Sequence, residues 1–159
     1  MLASKVRIVA ASARYVHTNL VARDWRRLAT FYVTVFGCEI AGPQRDLSGT
    51  WLESLTRLAT ARVSGVHLRL PGHGEDGPTL ELFSYAEMQE TPAPVPNRVG
   101  FGHIAFLVDD VPSVVETVVD NGGEVLGGPV GTNVAELGEL EVAYVRDPEG
   151  NIIELQRWR

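Results

Sequence analysis

Cysteine is nearly absent: Cys38 stands alone in 159 residues, and one thiol cannot close an internal disulfide. A disulfide-stapled secreted module is thereby excluded, and a reducing compartment is expected. Lysine is equally scarce, since all 14 basic residues except Lys5 are arginine. Positive charge is short overall, with a net charge of −6 and a pI near 5.2. The chain therefore lacks the basic surface with which nonspecific nucleic-acid binders displace counterions. No apolar run approaches the roughly 20 residues that cross a bilayer. The opening MLASKVRIVAASAR is interrupted by Lys5, Arg7 and Arg14, so its apolar core is too short and too charged for an export signal. It reads as a ragged N-terminus, and a cytoplasmic protein with neither membrane nor nucleic-acid partners is the expectation.

What is present fits an ordinary globular protein: 45% apolar residues, 21% charged residues and a mean hydropathy near zero. The length allows one compact domain or two small, similar modules sharing a core. Residues 15–22 alternate as a strand and place His17, Asn19 and Val21 on one face. Asp24 then caps a helix whose apolar positions Trp25, Leu28, Ala29, Tyr32, Val35 and Phe36 recur at three-to-four spacing until Gly37. A short strand is predicted over Cys38–Ala41, and a long connection over Pro43–Arg62 with a short helix marked by Leu52, Leu55 and Leu58. Val63–Leu70 and Thr79–Tyr85 read as strands around a Gly/Pro-rich turn. In the second of these strands Thr79, Glu81 and Phe83 share a face.

Three prolines alternating through Glu90–Asn97 read as a semi-rigid linker. The division this implies is a first module over 15–89, a linker over 90–99 and a second module over 100–158. The second half repeats the order of the first, with a strand over Gly102–Val108, an Asp110 cap, a helix to Asn121, and strands over Glu124–Leu126, Leu140–Arg146 and Asn151–Arg157. The register of the repeat is close. His17 precedes Asp24 by 7 positions and His103 precedes Asp110 by 7. The final strands carry Leu80-Glu81-Leu82 and Ile153-Glu154-Leu155. His and Glu are 64 residues apart in the first half and 51 in the second, and the surplus of 13 is assigned to the Pro43–Arg62 connection.

A glutamate framed by aliphatics in a strand is costly to bury unless it is paired or bound to a metal, yet on a one-sided sheet it commonly faces water. A lone strand histidine is likewise more often structural than a ligand. Two His and two Glu in matching first and last strands of a repeat change that balance. Imidazole nitrogen and carboxylate oxygen, with no thiolate, suit one divalent ion such as Zn²⁺, Ni²⁺, Co²⁺, Fe²⁺ or Mn²⁺ in five- or six-coordinate geometry.

The runs His17-Thr18-Asn19-Leu20-Val21-Ala22-Arg23-Asp24 and Gly102-His103-Ile104-Ala105-Phe106-Leu107-Val108-Asp109-Asp110, and above all the ending Asp147-Pro148-Glu149-Gly150-Asn151-Ile152-Ile153-Glu154-Leu155, resemble the vicinal oxygen chelate superfamily. Glyoxalase I is the member they resemble most. The resemblance spans about residues 15–157. It implies an α+β fold of two tandem βαβββ modules forming a cupped mixed β-sheet with helices on the outer face. It also implies His17, Glu81, His103 and Glu154 as ligands of one divalent metal per site, and a homodimer whose ligands come from one chain or from two.

The chemistry implied is that of a lyase or isomerase, in which a metal stabilises an enediolate or enolate while a carboxylate moves a proton next to a carbonyl. Glu154 is the first choice of base and Glu81 its partner. Extradiol dioxygenases of this type use two His and one Glu without a ligand at the position of Glu81, and methylmalonyl-CoA epimerases resemble the present pattern with Gln there. Both are kept as alternatives, as is a bleomycin-resistance-like protein that binds a small molecule without chemistry. Glutathione-using glyoxalases carry Arg and Asn four residues after the two first-module ligands, where this chain has Val21 and Tyr85. A substrate other than a glutathione adduct is therefore expected. By alternation Asn19, His67, Arg69 and Tyr144 could line the cup, and Trp51 in the long connection could cover a substrate. His73, in a glycine-rich turn, is expected to face solvent.

Overall fold

The computed structural model describes residues 12–159, so the first eleven residues of the charged N-terminal stretch, with Lys5 and Arg7, lie outside the described residues. The chain leaves its first strand, β1 (His17–Val21), through Asp24, whose carboxylate accepts hydrogen bonds from the N–H groups of Arg26 and Arg27 and starts α1 (Trp25–Phe36). Such a cap is worth about 1 kcal/mol. Gly37, at φ 67°, ends the helix by returning its N–H to the Val33 carbonyl at 3.1 Å. The remaining elements of the first half are β2 (Glu39–Ser48), α2 (Thr50–Thr56), β3 (Arg62–Arg69) and β4 (Thr79–Tyr85). The second half supplies β5 (Ile104–Leu107), α3 (Val111–Asp120), β6 (Glu124–Val134), β7 (Gly138–Arg146) and β8 (Ile152–Trp158).

The strands form two four-stranded mixed sheets with the same topology, β1-β4-β3-β2 and β5-β8-β7-β6, in which the first pair is parallel and the others antiparallel. This is the α+β arrangement of two βαβββ units that the resemblance implies. Alternation gives each sheet a helix-bearing face and an open face. Val66, Leu68, Leu80 and Leu82 turn toward α1, while Ala143, Val145, Ile153 and Leu155 turn toward α3. These sets join in one core in which Phe36 stacks on Phe106 at 4.1 Å. The histidines and glutamates singled out above occupy the opposite, open faces.

Two expectations are corrected. The strand predicted over Cys38–Ala41 runs on to Ser48, through Gly42 and Pro43, where the pairing with β3 shifts register between Ala41 and Arg45. Its counterpart β6 likewise runs past Leu126, through Gly128 and Pro129, with register shifts between Val125 and Val130. Both are edge strands, where a missing N–H and a bulge are tolerated. The 13 extra residues of the first half are also not confined to Pro43–Arg62. Part forms α2, and part lengthens the β3–β4 turn over 70–78 relative to the β7–β8 turn over 147–151. Among the described residues no helix is long and apolar enough to cross a membrane.

Candidate metal centre

On the open face of the first sheet, β4 sets Glu81 between Asn19 of β1 and His67 of β3. Its Oε2 lies 3.5 Å from His17 Nε2 and accepts a hydrogen bond from Asn19 Nδ2 at 3.0 Å, while its Oε1 lies 3.1 Å from His67 Nε2. The His67 Nδ1 is 3.0 Å from the hydroxyl of Thr79. The two imidazoles meet edge to face with ring centroids 5.6 Å apart. Burial pushes the His67 imidazole below its ordinary value, with His17 and Arg45 adding to the fall and Glu81 opposing it.

The second sheet repeats this layout. Glu154 of β8 sits between Ala105 of β5 and Tyr144 of β7. Its Oε2 lies 3.3 Å from His103 Nε2, and the His103 and Tyr144 rings are 5.1 Å apart. Burial, and then the hydrogen bond and charge of Glu154, raise the Tyr144 phenol above its usual value. His67 and Tyr144 thus hold equivalent places, and so do Asn19 and Ala105.

Side-chain exposures of 17% for Glu81 and 19% for Glu154 set both carboxylates apart from solvated strand residues. The donor set of imidazole nitrogen and carboxylate oxygen fits a divalent metal. The metal-capable cluster among the described residues is His17, His67 and Glu81, whose ligand atoms all lie within 4.8 Å of one another. Within one chain the four predicted ligands therefore come together as two pairs, one on each sheet, and His103 and Glu154 do not join the cluster of the first.

The other predicted residues sort differently. Arg69 shares the open face but its guanidinium is paired with Glu39 at 3.1 Å. Trp51 lies at the start of α2 and is exposed, as is His73 in its turn. Helix α2 itself reaches the open face through Leu52, which packs with Val63, Phe83 and Tyr85. The Phe83 ring is admitted there by Gly65, directly across the ladder, where a Cβ would stand 2.3 Å from Phe83 Cδ1. Phe83 also meets the His67 ring edge to face at 6.2 Å, so an apolar wall stands directly beside the imidazole-carboxylate cluster. A cleft of about 1080 Å³ opens beyond this wall, lined by Val21, Arg23, Tyr85, Met88 and Glu149 among others. None of His17, His67, Glu81, His103 and Glu154 borders it.

The Asp-Pro-Glu-Gly-Asn ending has a structural task that its sequence does not announce. Asp147 is buried, and its carboxylate accepts hydrogen bonds from the Glu149 and Asn151 N–H groups, the Asn151 amide and the Tyr32 hydroxyl. Glu149 accepts from the Asp24 N–H at 2.9 Å and from Arg23 at 3.2 Å. The motif thereby fixes the turn into the Glu154 strand and fastens it to the first module.

The fold is shared with known proteins. A probable lactoylglutathione lyase from Vibrio parahaemolyticus is 27% identical over 150 residues, covering 91% of each chain. A glyoxalase family protein from Bacillus cereus superposes with a TM-score of 0.76 at 18% identity, covering 99% of each chain. A fosfomycin resistance protein from Listeria monocytogenes, solved with Mn(II) and sulfate, superposes with a TM-score of 0.54 at 12% identity over 94% of each chain. The family model described as Glyoxalase/Bleomycin resistance protein/Dioxygenase superfamily matches residues 14–155, nearly the whole chain, and the protein belongs to that superfamily.

Proposed function

We propose that the chain is a metal-dependent, glyoxalase-like lyase or isomerase that moves a proton next to a carbonyl of a small-molecule substrate. The observation that carries this reading is the doubled constellation: the same imidazole–carboxylate pair at the same place in both modules, His17 with Glu81 and His103 with Glu154. When bound, one divalent ion supplies Lewis-acid polarisation of vicinal substrate oxygens. The four residues are its proposed ligands. Because each sheet holds only one pair, we infer that two chains complete each site, with the first module of one facing the second module of its partner in a homodimer. The exposed apolar residues Leu107 and Val130, which pair with Gln156 and Val142 on the open face of the second sheet, favour such a covering.

The two carboxylates are held unequally. Glu81 is fixed by Asn19 and His67, whereas the place of Asn19 beside Glu154 is taken by Ala105. Glu154 is the freer group and the proposed base, and Glu81 its more rigid partner. The relative's name points to lactoylglutathione, but Val21 is an exposed aliphatic and Tyr85 packs against the α2 wall. Neither offers the Arg or Asn of glutathione-using enzymes. A different thiol adduct or an acyl thioester is the proposed substrate class.

Metal-loaded protein incubated in deuterated water with methylglyoxal adducts of several thiols and with acyl thioesters tests the reading. Metal-dependent deuterium incorporation at the carbon next to the carbonyl is expected for at least one of them, with glutathione not the best thiol. Stoichiometric tight binding of such a compound with no exchange would instead mark a sequestering protein.

A further inference from the structure

We propose that His67 is itself a metal ligand, so that one module of this chain holds a divalent cation with a His17–His67–Glu81 face of its own. The inference rests on the metal-centre reading above and adds a fifth protein donor to it. Three adjacent strands build the face: β1 supplies His17, β3 supplies His67 and β4 supplies Glu81. The ladder places His67 directly across from Glu81, and Thr79, one pleat back on β4, directly across from His17.

Thr79 explains how His67 is aimed. Its hydroxyl meets Nδ1 at 3.0 Å and leaves Nε2 turned to the cluster, the division of labour seen in metal-bound imidazoles whose second nitrogen is held by an outer partner. On the inner side Nε2 is 3.1 Å from Glu81 Oε1, and His17 Nε2 is 3.5 Å from Glu81 Oε2. Three donor atoms so placed, all within 4.8 Å of one another, can close on one ion with small side-chain rotations. Two imidazoles and one carboxylate on one side of an ion leave the opposite positions open, which is where the second pair and substrate would enter. Phe83, packed edge-on to His67, limits the rotations that would carry the ring away.

The second module lacks this capacity. Its equivalent residue is Tyr144, whose phenol puts no imidazole nitrogen beside Glu154. The two half-sites are thus unequal: the first can bind a metal alone, and the second completes the sphere.

Cobalt(II) titration of the full-length protein decides the matter, with affinity from chelator competition and the number of bound imidazoles from the paramagnetically shifted ring N–H signals in proton NMR. The wild type is expected to show three such signals and the H67Q variant two. Its affinity should fall by more than the roughly 10- to 100-fold that loss of an outer partner causes. The double variant H103A/E154A should still bind one Co²⁺ per chain, more weakly, with two signals. Three signals in H67Q, or complete loss of Co²⁺ binding in the double variant, would overturn the inference while leaving the metal centre intact. Absence of Co²⁺ binding by the wild type would remove both. Melting of each metal-free variant identifies any that fails to fold, and the double variant tests the three-donor face with His67 in place.

Discussion

Tyr32 in α1 donates its hydroxyl to Asp147, 115 positions away in the turn before β8, at 3.0 Å and out of reach of water. This bond crosses from one module to the other. Burial raises the Asp147 carboxyl above its usual value, against the opposing effect of its hydrogen bonds to Asn151, Tyr32 and Glu149. Those hydrogen bonds offset part of the cost of burying a carboxylate in that position.

Tyr32→Phe leaves Asp147 one donor short in a buried place. A destabilisation of about 1.5–3 kcal/mol is expected for a hydrogen bond to a charged acceptor. Urea unfolding at neutral pH measures it. A change below about 0.5 kcal/mol would mean that the turn is held by Asn151 and the backbone alone.

Stability should decline in alkali. Burial pushes the Cys38 thiol from 9.0 up to about 11, so the folded state keeps a proton that the unfolded chain releases in that window. More protons bound in the folded state means that unfolding becomes easier as pH rises. This contribution is present in full below pH 9 and is lost toward pH 11. Tyr32, raised well above 10.0 by burial and then by Asp147, acts in the same direction at still higher pH. Melting temperatures from pH 8 to 11 should fall less steeply in Cys38→Ala than in the wild type.

Gly65→Ala tests the wall beside the metal centre. The added Cβ would stand 1.9 Å from the Leu82 carbonyl oxygen and 2.3 Å from the Phe83 ring, so β3 and β4 must part. Overpacking of this kind costs about 1–3 kcal/mol. Metal affinity should fall as well, because the same two strands carry His67 and Glu81. A variant with wild-type stability and metal affinity would show that the ladder absorbs a methyl group at no cost.

Metal removal should be visible in the melt. A ligand that binds only the folded state stabilises it by about 2.7 kcal/mol at 100 times its dissociation constant. Chelation should therefore lower the melting temperature, and Ni²⁺, Co²⁺ or Zn²⁺ should restore it. An unchanged melting curve across such a titration contradicts the metal centre.

Glu154→Gln should keep the fold and lose about 100-fold or more in the rate of carbon-bound proton exchange, the usual worth of a placed base. Glu81→Gln is expected to weaken metal binding more than it alters exchange measured at saturating metal. Parallel measurement of exchange rate and metal affinity in the two variants checks the assignment of roles.

Much of the architecture was readable because its signals are local. Asp24 starts a helix with its own carboxylate and Gly37 stops it through its own backbone geometry, and the alternation in Thr79–Tyr85 predicts β4 with both ends correct. The edge strands were not readable past Gly42–Pro43 and Gly127–Pro129, because a proline forbids a central strand and says nothing about a sheet margin. The alternation that put His67 beside the candidate site was also visible. Its partnership with Glu81 was not, since a strand's pattern gives its faces but not its neighbour's register.

The amino-acid order by itself determined the repeat, the two caps, the spacing of each His to its Glu, and hence the residue types available to a metal. Those properties follow from chain chemistry and from periodicities of 2 and 3.6 residues. Only the tertiary structure decided that the two pairs sit on separate sheets, that α2 walls off one side of the first, that Asp147 and Glu149 bind the modules together, and that His67 joins His17 and Glu81. Each of these depends on which strands pair and which faces pack, contacts between residues far apart in the chain that no local pattern encodes.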